Sequence, residues 1–243
     1  MEKLLQWDAD LLLAINSHHT AFWDQVMWYS SQSWVWIPLY LLLGYAVYKV
    51  SCSLQFDKLR IVGLGNPQIT GSGKQHTATT EPSAGLKVFV VVLLGVVLIG
   101  AAAGLSDFIT SGILKKWICR PRPTHSNLAD YLHIVRDYRG GHYGFPSSHA
   151  ANTFAVATTF WFIINYLNSL PHKYVAHHAK DVGAVQRLER VMKVVVVLYV
   201  VLNCYSRMYL GVHYPLDILC GAIIGTLLGY LCAQIYKVAV KIE

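Results

Sequence analysis

Apolar residues fall into five long stretches, near residues 32–50, 86–110, 150–170, 190–208 and 217–237, separated by short polar, basic or proline-rich segments. Crossing roughly 30 Å of hydrocarbon takes about 20 helical residues. Three stretches meet that length without a single charge: Val88 to Leu105 nearly, Ala150 to Leu170 and Ile218 to Tyr236. The fourth is weaker, because Lys193 near its start must extend toward the headgroups. The first thirty residues differ. Leu4, Leu5, Leu11, Leu12, Leu13 and Ile15 are interrupted by Asp8 and Asp10 and followed by Phe22, Trp23 and Trp28. This reads as an amphipathic helix lying in the interface, with a tilted span beginning near Trp23 as the alternative. No compact uncharged run ends in a small-residue cleavage site, so it is not read as a signal peptide. The pattern predicts an all-α integral membrane protein with about five transmembrane helices and an N-terminal interfacial helix, residues 1–243 forming one domain.

Composition agrees: 54% hydrophobic with 14% charged residues lies outside the usual soluble range. Lysine and arginine then set orientation. The N-terminus, residues 115–145 and the turn 206–216 hold eight: Lys3, Lys115, Lys116, Arg120, Arg122, Arg136, Arg139 and Arg207; the opposite ends hold the other twelve. With Lys115, Arg122 and Arg207 set aside as site residues, five face twelve. This puts loops 51–85 and 171–189 and the C-terminus in the cytoplasm. The net charge of +7 reflects that bias and the site, and argues poorly for nucleic acid. Residues 64–85, rich in Gly, Ser, Thr and Pro, read as a flexible cytoplasmic linker. Residues 115–145 carry Trp117, Tyr131, Tyr138 and Tyr143 among basic residues, with Phe145 at the end, and read as a cap over the site. The five cysteines imply no disulfide framework. No Cys-His metal spacing occurs, and the adjacent pairs His18-His19 and His177-His178 read as surface histidines. Nothing in the sequence fixes an oligomeric state.

Three polar blocks stand at the ends of the apolar stretches. Lys115 and Arg122 bracket a helix end that runs into Pro121 and Pro123. With Arg207 they supply three cations, of which arginine suits bidentate contact with phosphate. Lys116 and Arg120 read instead as headgroup-seeking side chains. Pro146-Ser147-Ser148-His149 opens the third span, with Pro146 placed in the first turn and serines able to cap. The amides of Ser147 and Ser148 can bind an anion there, and Ser147 adds a hydroxyl. His213 and Asp217 are four apart and share a helix face, an arrangement in which a carboxylate fixes the imidazole tautomer. Gly221, Gly225 and Gly229 read as a packing stripe. Asp107 divides between a hydrogen bond to a neighbouring helix and support of the cations.

The pattern Lys115-x6-Arg122-Pro123, Pro146-Ser147-Ser148-His149 and Ser206-Arg207-x5-His213-x3-Asp217 resembles the three signature motifs of the type 2 phosphatidic acid phosphatase (PAP2) superfamily. That superfamily also includes vanadium haloperoxidases. The motifs cover about a tenth of the chain, and the helical layout resembles the PAP2 bundle from about residue 20 onward. Ser148 stands where many members have Gly. The resemblance implies that His213 attacks phosphorus and forms a phosphohistidine. Asp217 orients His213, and His149 protonates the leaving oxygen and then activates water. Lys115, Arg122, Ser147, Ser148 and Arg207 hold the phosphoryl oxygens. No metal or cofactor is required, since protein cations supply the charge. The expected substrate is a lipid phosphate reached from the bilayer: undecaprenyl diphosphate or lipid A phosphate first, phosphatidylglycerol phosphate or phosphatidic acid next. The expected setting is a bacterial inner membrane with the site facing the periplasm. A vanadium-dependent haloperoxidase, expected to be soluble, and a non-enzymatic lipid phosphate carrier are the alternatives.

Overall fold

The computed structural model describes residues 2–54, 59–61, 83–170 and 179–242. Two short helices, α1 (Glu2–Ser17) and α2 (Ala21–Ser30), precede a 3₁₀ turn (Ser33–Trp36) and α3 (Ile37–Ser51). The long α4 (Ala84–Asp107) continues through a π-helical segment (Phe108–Leu114) into the single turn α5 (Lys115–Ile118). Then follow α6 (Ser148–Ser169), α7 (Ala179–Tyr209) and α8 (Pro215–Ala239). The short strands β1 (Leu59–Ile61) and β2 (Val240–Ile242) pair antiparallel at the end of α8 remote from Pro215.

The five predicted stretches correspond to α3, α4, α6, α7 and α8. Four helical runs, Ser33–Ser51, Ala84–Ile118, Gly183–Tyr209 and Pro215–Ala239, are long and apolar enough to cross a bilayer. The less apolar α6 is the most enclosed. Ala151, Ala155, Phe160, Ile163, Ile164 and Leu167 are all buried, so its neighbours are protein rather than lipid. That lets it carry Thr153 and Thr159, whose hydroxyls donate to backbone carbonyls of their own helix.

The glycine stripe explains how α6 and α8 pack. A Cβ at Gly221 would meet the backbone of Ser147, at Gly225 that of Ala151, and at Gly229 the carbonyl of Ala155 at 2.6 Å. The register rises together in both helices, so they run parallel with backbones in contact. Both therefore begin at the same end of the bundle, which places Ser148, His149 and Asp217 close together.

The linker predicted over 64–85 lies outside the described residues except for its end. There Ser83 caps α4 by accepting from the Leu86 amide at 3.3 Å, and Ala84 and Gly85 are already helical. The N-terminal region is two helices, because Thr20 caps a new start at Ala21. On α1, the buried positions Asp8, Leu12 and Asn16 face inward, while Leu4, Leu5, Trp7 and Leu11 are exposed. Two polar side chains, Asp8 and Asn16, thus face the protein, and four large apolar ones face outward.

Candidate active site

Each signature residue is placed by a helix end. The α4–α5 run stops at Cys119, which takes a left-handed φ of 52°, Pro121 keeps the chain extended, and Pro123 opens only a short 3₁₀ turn, Pro123–His125. This turns Lys115 inward and sends Arg122 across the bundle. The loop that follows is closed at its base, Arg122 N–H donating to the His142 carbonyl at 2.9 Å and Gly144 N–H to that of Arg120 at 2.9 Å. Val135 anchors it among Met27, Tyr209, Leu210 and Val212, so the segment packs as a cap. Of its aromatics, Trp117 and Tyr131 face outward and Tyr138 lines the cavity, edge-on to Trp28.

Arg207 lies in the last turn of α7. Gly211, at a φ of +69° that other residues adopt only with strain, reverses the chain and returns His213 to the bundle end. The expectation that His213 and Asp217 share a helix face is corrected: His213 precedes α8, whose N-cap is Tyr214. Asp217 sits at the third helical position, where one oxygen accepts both the Tyr214 amide at 3.1 Å and His213 Nδ1–H at 3.2 Å. The pair is joined by a capping turn rather than by helical periodicity.

Pro146 is likewise outside its helix. Ser147 is the N-cap of α6, its hydroxyl oxygen accepting the Ala150 amide. Its own amide donates to the Asp217 carbonyl at 2.9 Å, and the residue is fully buried. The Ser147 amide, which the sequence reading expected to bind an anion, is therefore not open to one. It ties α6 to α8, and the amides without acceptors inside the helix are those of Ser148 and His149.

A cavity of about 580 Å³ brings together Lys115, Arg122, Ser148, His149 and Arg207. Lys115 Nζ donates to Ser148 Oγ at 2.7 Å, and Ser111 Oγ lies 2.6 Å from the same oxygen. Of the two roles expected of Asp107, the bond to a neighbouring helix is present: it accepts from Asn152 of α6 at 3.5 Å, and also from Ser111 at 3.2 Å. Arg207 is 1% exposed, donates to the Tyr138 hydroxyl at 3.3 Å, and keeps a buried Nε with no acceptor among the described residues. A buried guanidinium N–H without an acceptor is costly, and an anion in the cavity would satisfy it. Burial raises the Tyr138 phenol, but Arg207 and its hydrogen bond outweigh that and hold it below the usual range.

His213 and Asp217 lie behind this wall. Arg122 Nη1 donates to His213 Nε2 at 3.1 Å and to the Val212 carbonyl at 3.2 Å. Arginine only donates, so Nε2 carries the lone pair and Nδ1 the proton directed at Asp217. Burial first, then Arg122, Arg207 and Lys115, hold the imidazole well below its ordinary pKa. Burial and Arg207 lower Arg122 to about 10, which leaves it charged at neutral pH.

The sequence reading of Arg120 as a headgroup-seeking side chain is also corrected. Arg120 bridges two buried carboxylates, Asp217 at 2.8 Å and Asp8 of α1 at 2.6 Å, and stacks 4.1 Å from the centroid of the Tyr214 ring. The signal available for Asp8 was its spacing with Leu12 and Asn16 on one helical face. Among the described residues, no group of three or more His, Cys, Asp or Glu is arranged to hold a metal ion.

Comparisons with known proteins agree with this layout. The chain is 29% identical to the lipid A 4'-phosphatase of Bacteroides thetaiotaomicron over 233 residues, covering 95% of this chain and 77% of that protein. It is 24% identical to the lipid A 4'-phosphatase of Porphyromonas gingivalis over 241 residues, covering 98% and 77%. The crystal structure of a transmembrane PAP2 type phosphatidylglycerolphosphate phosphatase from Bacillus subtilis matches with a TM-score of 0.53 at 18% identity, covering 97% of this chain and 87% of that one. That last likeness is one of fold. A family model for the PAP2 superfamily matches residues 89–241, well over half of the sequence. The chain belongs to the PAP2 superfamily and is a phosphoric ester hydrolase of the membrane.

Proposed function

We propose that the protein removes phosphate from a lipid phosphate monoester or diphosphate through a phosphohistidine, with a lipid A phosphate as first candidate. Undecaprenyl diphosphate follows, then phosphatidylglycerol phosphate and phosphatidic acid. The observation that carries the reading is the cavity. At one end stand Lys115, Arg122 and Arg207; at the other Tyr40, Leu43, Gly44, Val96, Ile99 and Gly100 of α3 and α4. From Lys115 back to Val96 is about 28 Å of helix. A ligand with a phosphate at one end and hydrocarbon at the other matches this change of lining. The lipid A 4'-phosphatase relatives, which align along nearly the whole chain, support placing lipid A first.

In this reading the phosphoryl oxygens take up Arg122, Arg207, Lys115 and the first amides of α6, drawing Arg122 off Nε2. His213 Nε2 then attacks phosphorus in line with the leaving oxygen, which His149 protonates. His149 next activates the water that breaks the phosphorus–nitrogen bond. Asp217 holds Nδ1–H throughout and offsets the positive charge that grows on the imidazole. The apolar spans weigh against the soluble haloperoxidase alternative.

The motif end is proposed to face the periplasm across a bacterial inner membrane. The charge count supports this: with the site residues set aside, five lysines and arginines on the motif side oppose twelve on the other. Purified protein assayed for phosphate release from lipid A, undecaprenyl diphosphate, phosphatidylglycerol phosphate and phosphatidic acid tests the reading. Turnover of lipid A at the highest kcat/KM is expected; release from none of the four contradicts it. A cysteine at Arg139, on a cysteine-free background, should react with an impermeant maleimide in intact spheroplasts; labelling only after permeabilisation contradicts the orientation.

A further inference from the structure

We propose that Asp8 and Arg120 are positioning residues for the nucleophile, making α1 part of the reaction machinery. The inference rests on the reading of His213 as nucleophile and Asp217 as its orienting carboxylate. Asp217 has both oxygens engaged: one accepts His213 Nδ1–H and the Tyr214 amide, the other Arg120 Nη1. The second Nη of Arg120 donates to Asp8, whose other oxygen accepts the Leu216 amide at 2.8 Å. The side chains of Asp8 and Asp217 are fully buried.

Two consequences follow from this geometry. Leu216 and Asp217 occupy the second and third positions of α8, so the Asp8 carboxylate braces the turn that carries Asp217 and satisfies an amide that the helix itself cannot. Asp8 also balances charge. Facing Arg120 alone, Asp217 would give up to that ion pair part of the negative potential it directs at His213. With Asp8 present, the Asp8–Arg120–Asp217 trio carries one net negative charge, available when the imidazole becomes phosphorylated and positive. Asn16, two turns further along the same face of α1, extends the brace. Its Nδ2 donates to the carbonyls of Tyr209 at 2.7 Å and His133 at 3.0 Å, and its Oδ1 accepts the His133 amide at 2.8 Å. These contacts tie the end of α7, where the chain turns toward His213, to the loop that carries His133.

The test measures kcat and KM for the full-length protein on whichever of the four lipids it turns over fastest. Inorganic phosphate inhibition serves as an independent reading of the cation pocket. Asp8→Asn and Arg120→Gln should each lower kcat by about 10- to 100-fold, the range seen when partners that orient a functional histidine are removed. KM and phosphate inhibition should stay unchanged, as should all parameters in the exposed-site control Asp10→Asn. Asp8→Glu should recover most of the rate. Because Asp8 acts on Asp217 partly through Arg120 and partly through the Leu216 amide, the double variant should lose less than the product of the two single losses. Wild-type rate in Asp8→Asn, multiplied losses in the double variant, or phosphate inhibition lost along with kcat would each overturn the proposal. Wild-type turnover in His213→Ala would instead overturn the nucleophile assignment on which it rests.

Discussion

Arg207 and Arg120 stand on opposite sides of the His213–Asp217 pair and differ in how their charge is used. Arg207 is buried, bonds the Tyr138 hydroxyl, and retains an Nε–H with no acceptor among the described residues. Arg120 is partly exposed yet bridges two fully buried carboxylates. The first leaves a donor that an anion would satisfy; the second has its donors met by carboxylates. In the proposed reading, one residue type thus builds both the pocket for the reacting group and the frame that holds the nucleophile, and the distinction lies in the partners rather than in the arginine.

The sharpest way to break this comparison is to neutralise each arginine. Arg207→Gln should lower kcat/KM by about 10²- to 10³-fold, the usual loss when one preorganised donor to a developing anion is removed, and should weaken inhibition by inorganic phosphate. Arg120→Gln should leave that inhibition intact. Equal weakening in both variants would erase the distinction.

The two sides are held in register by α6 and α8, since α6 carries Ser148 and His149 while α8 carries Asp217. Gly225→Val forces side-chain atoms into the backbone of Ala151, with an expected loss of about 3 kcal/mol, at the upper end for overpacking. A fall in detergent-solubilised melting temperature, together with lost turnover, would bear this out; an unchanged melting temperature would mean the helices can part without cost.

A smaller effect is expected from pH. Burial and the neighbouring cations keep His213 neutral, so the acid limb of kcat/KM should lie well below about 6.5, the ordinary histidine value. Removing one cation in Arg207→Gln eases protonation and should move that limb upward. The unfolded chain binds this proton more readily than the folded one. Stability associated with His213 is therefore fully present above the unfolded pKa and is lost as pH falls from about 6.5 toward the depressed folded value. An acid limb that stays put in Arg207→Gln would show that the guanidinium does not act on the imidazole. The smallest effect, no change at all, is expected from chelation. EDTA should leave phosphate release intact because the charge stabilisation proposed here comes from side chains, and restoration of a chelated enzyme by Mg²⁺ alone would refute that.

The difference between the two arginines also marks what could be read from the chain. Lys115, Arg122, Ser148, His149 and Arg207 were legible because their chemistry is clustered in short blocks at the ends of apolar runs. Arg120 lies in the same block as Arg122 but was misjudged, since its partners Asp217 and Asp8 are 97 and 112 residues away. Ser147 looked like an anion donor by position; its amide is engaged because α8 approaches closely enough for the Asp217 carbonyl to accept it. The helices themselves were readable from apolar run length. The inward polar face of α1 was not, because Asp8 among leucines reads equally well as an interruption of an interfacial helix.

Trapping the intermediate shows directly whether His213 accepts the phosphoryl group in a pocket of side-chain cations. Wild-type protein mixed with lipid substrate labelled with ³²P in the departing phosphate, then quenched in alkali within the first turnover, should carry label that survives base and is released by acid, as expected of a phosphohistidine. His213→Gln, retaining its response to inorganic phosphate as a binding competitor, should carry none. Label of the same lability in His213→Gln, or label on another residue of the wild type, would contradict the account.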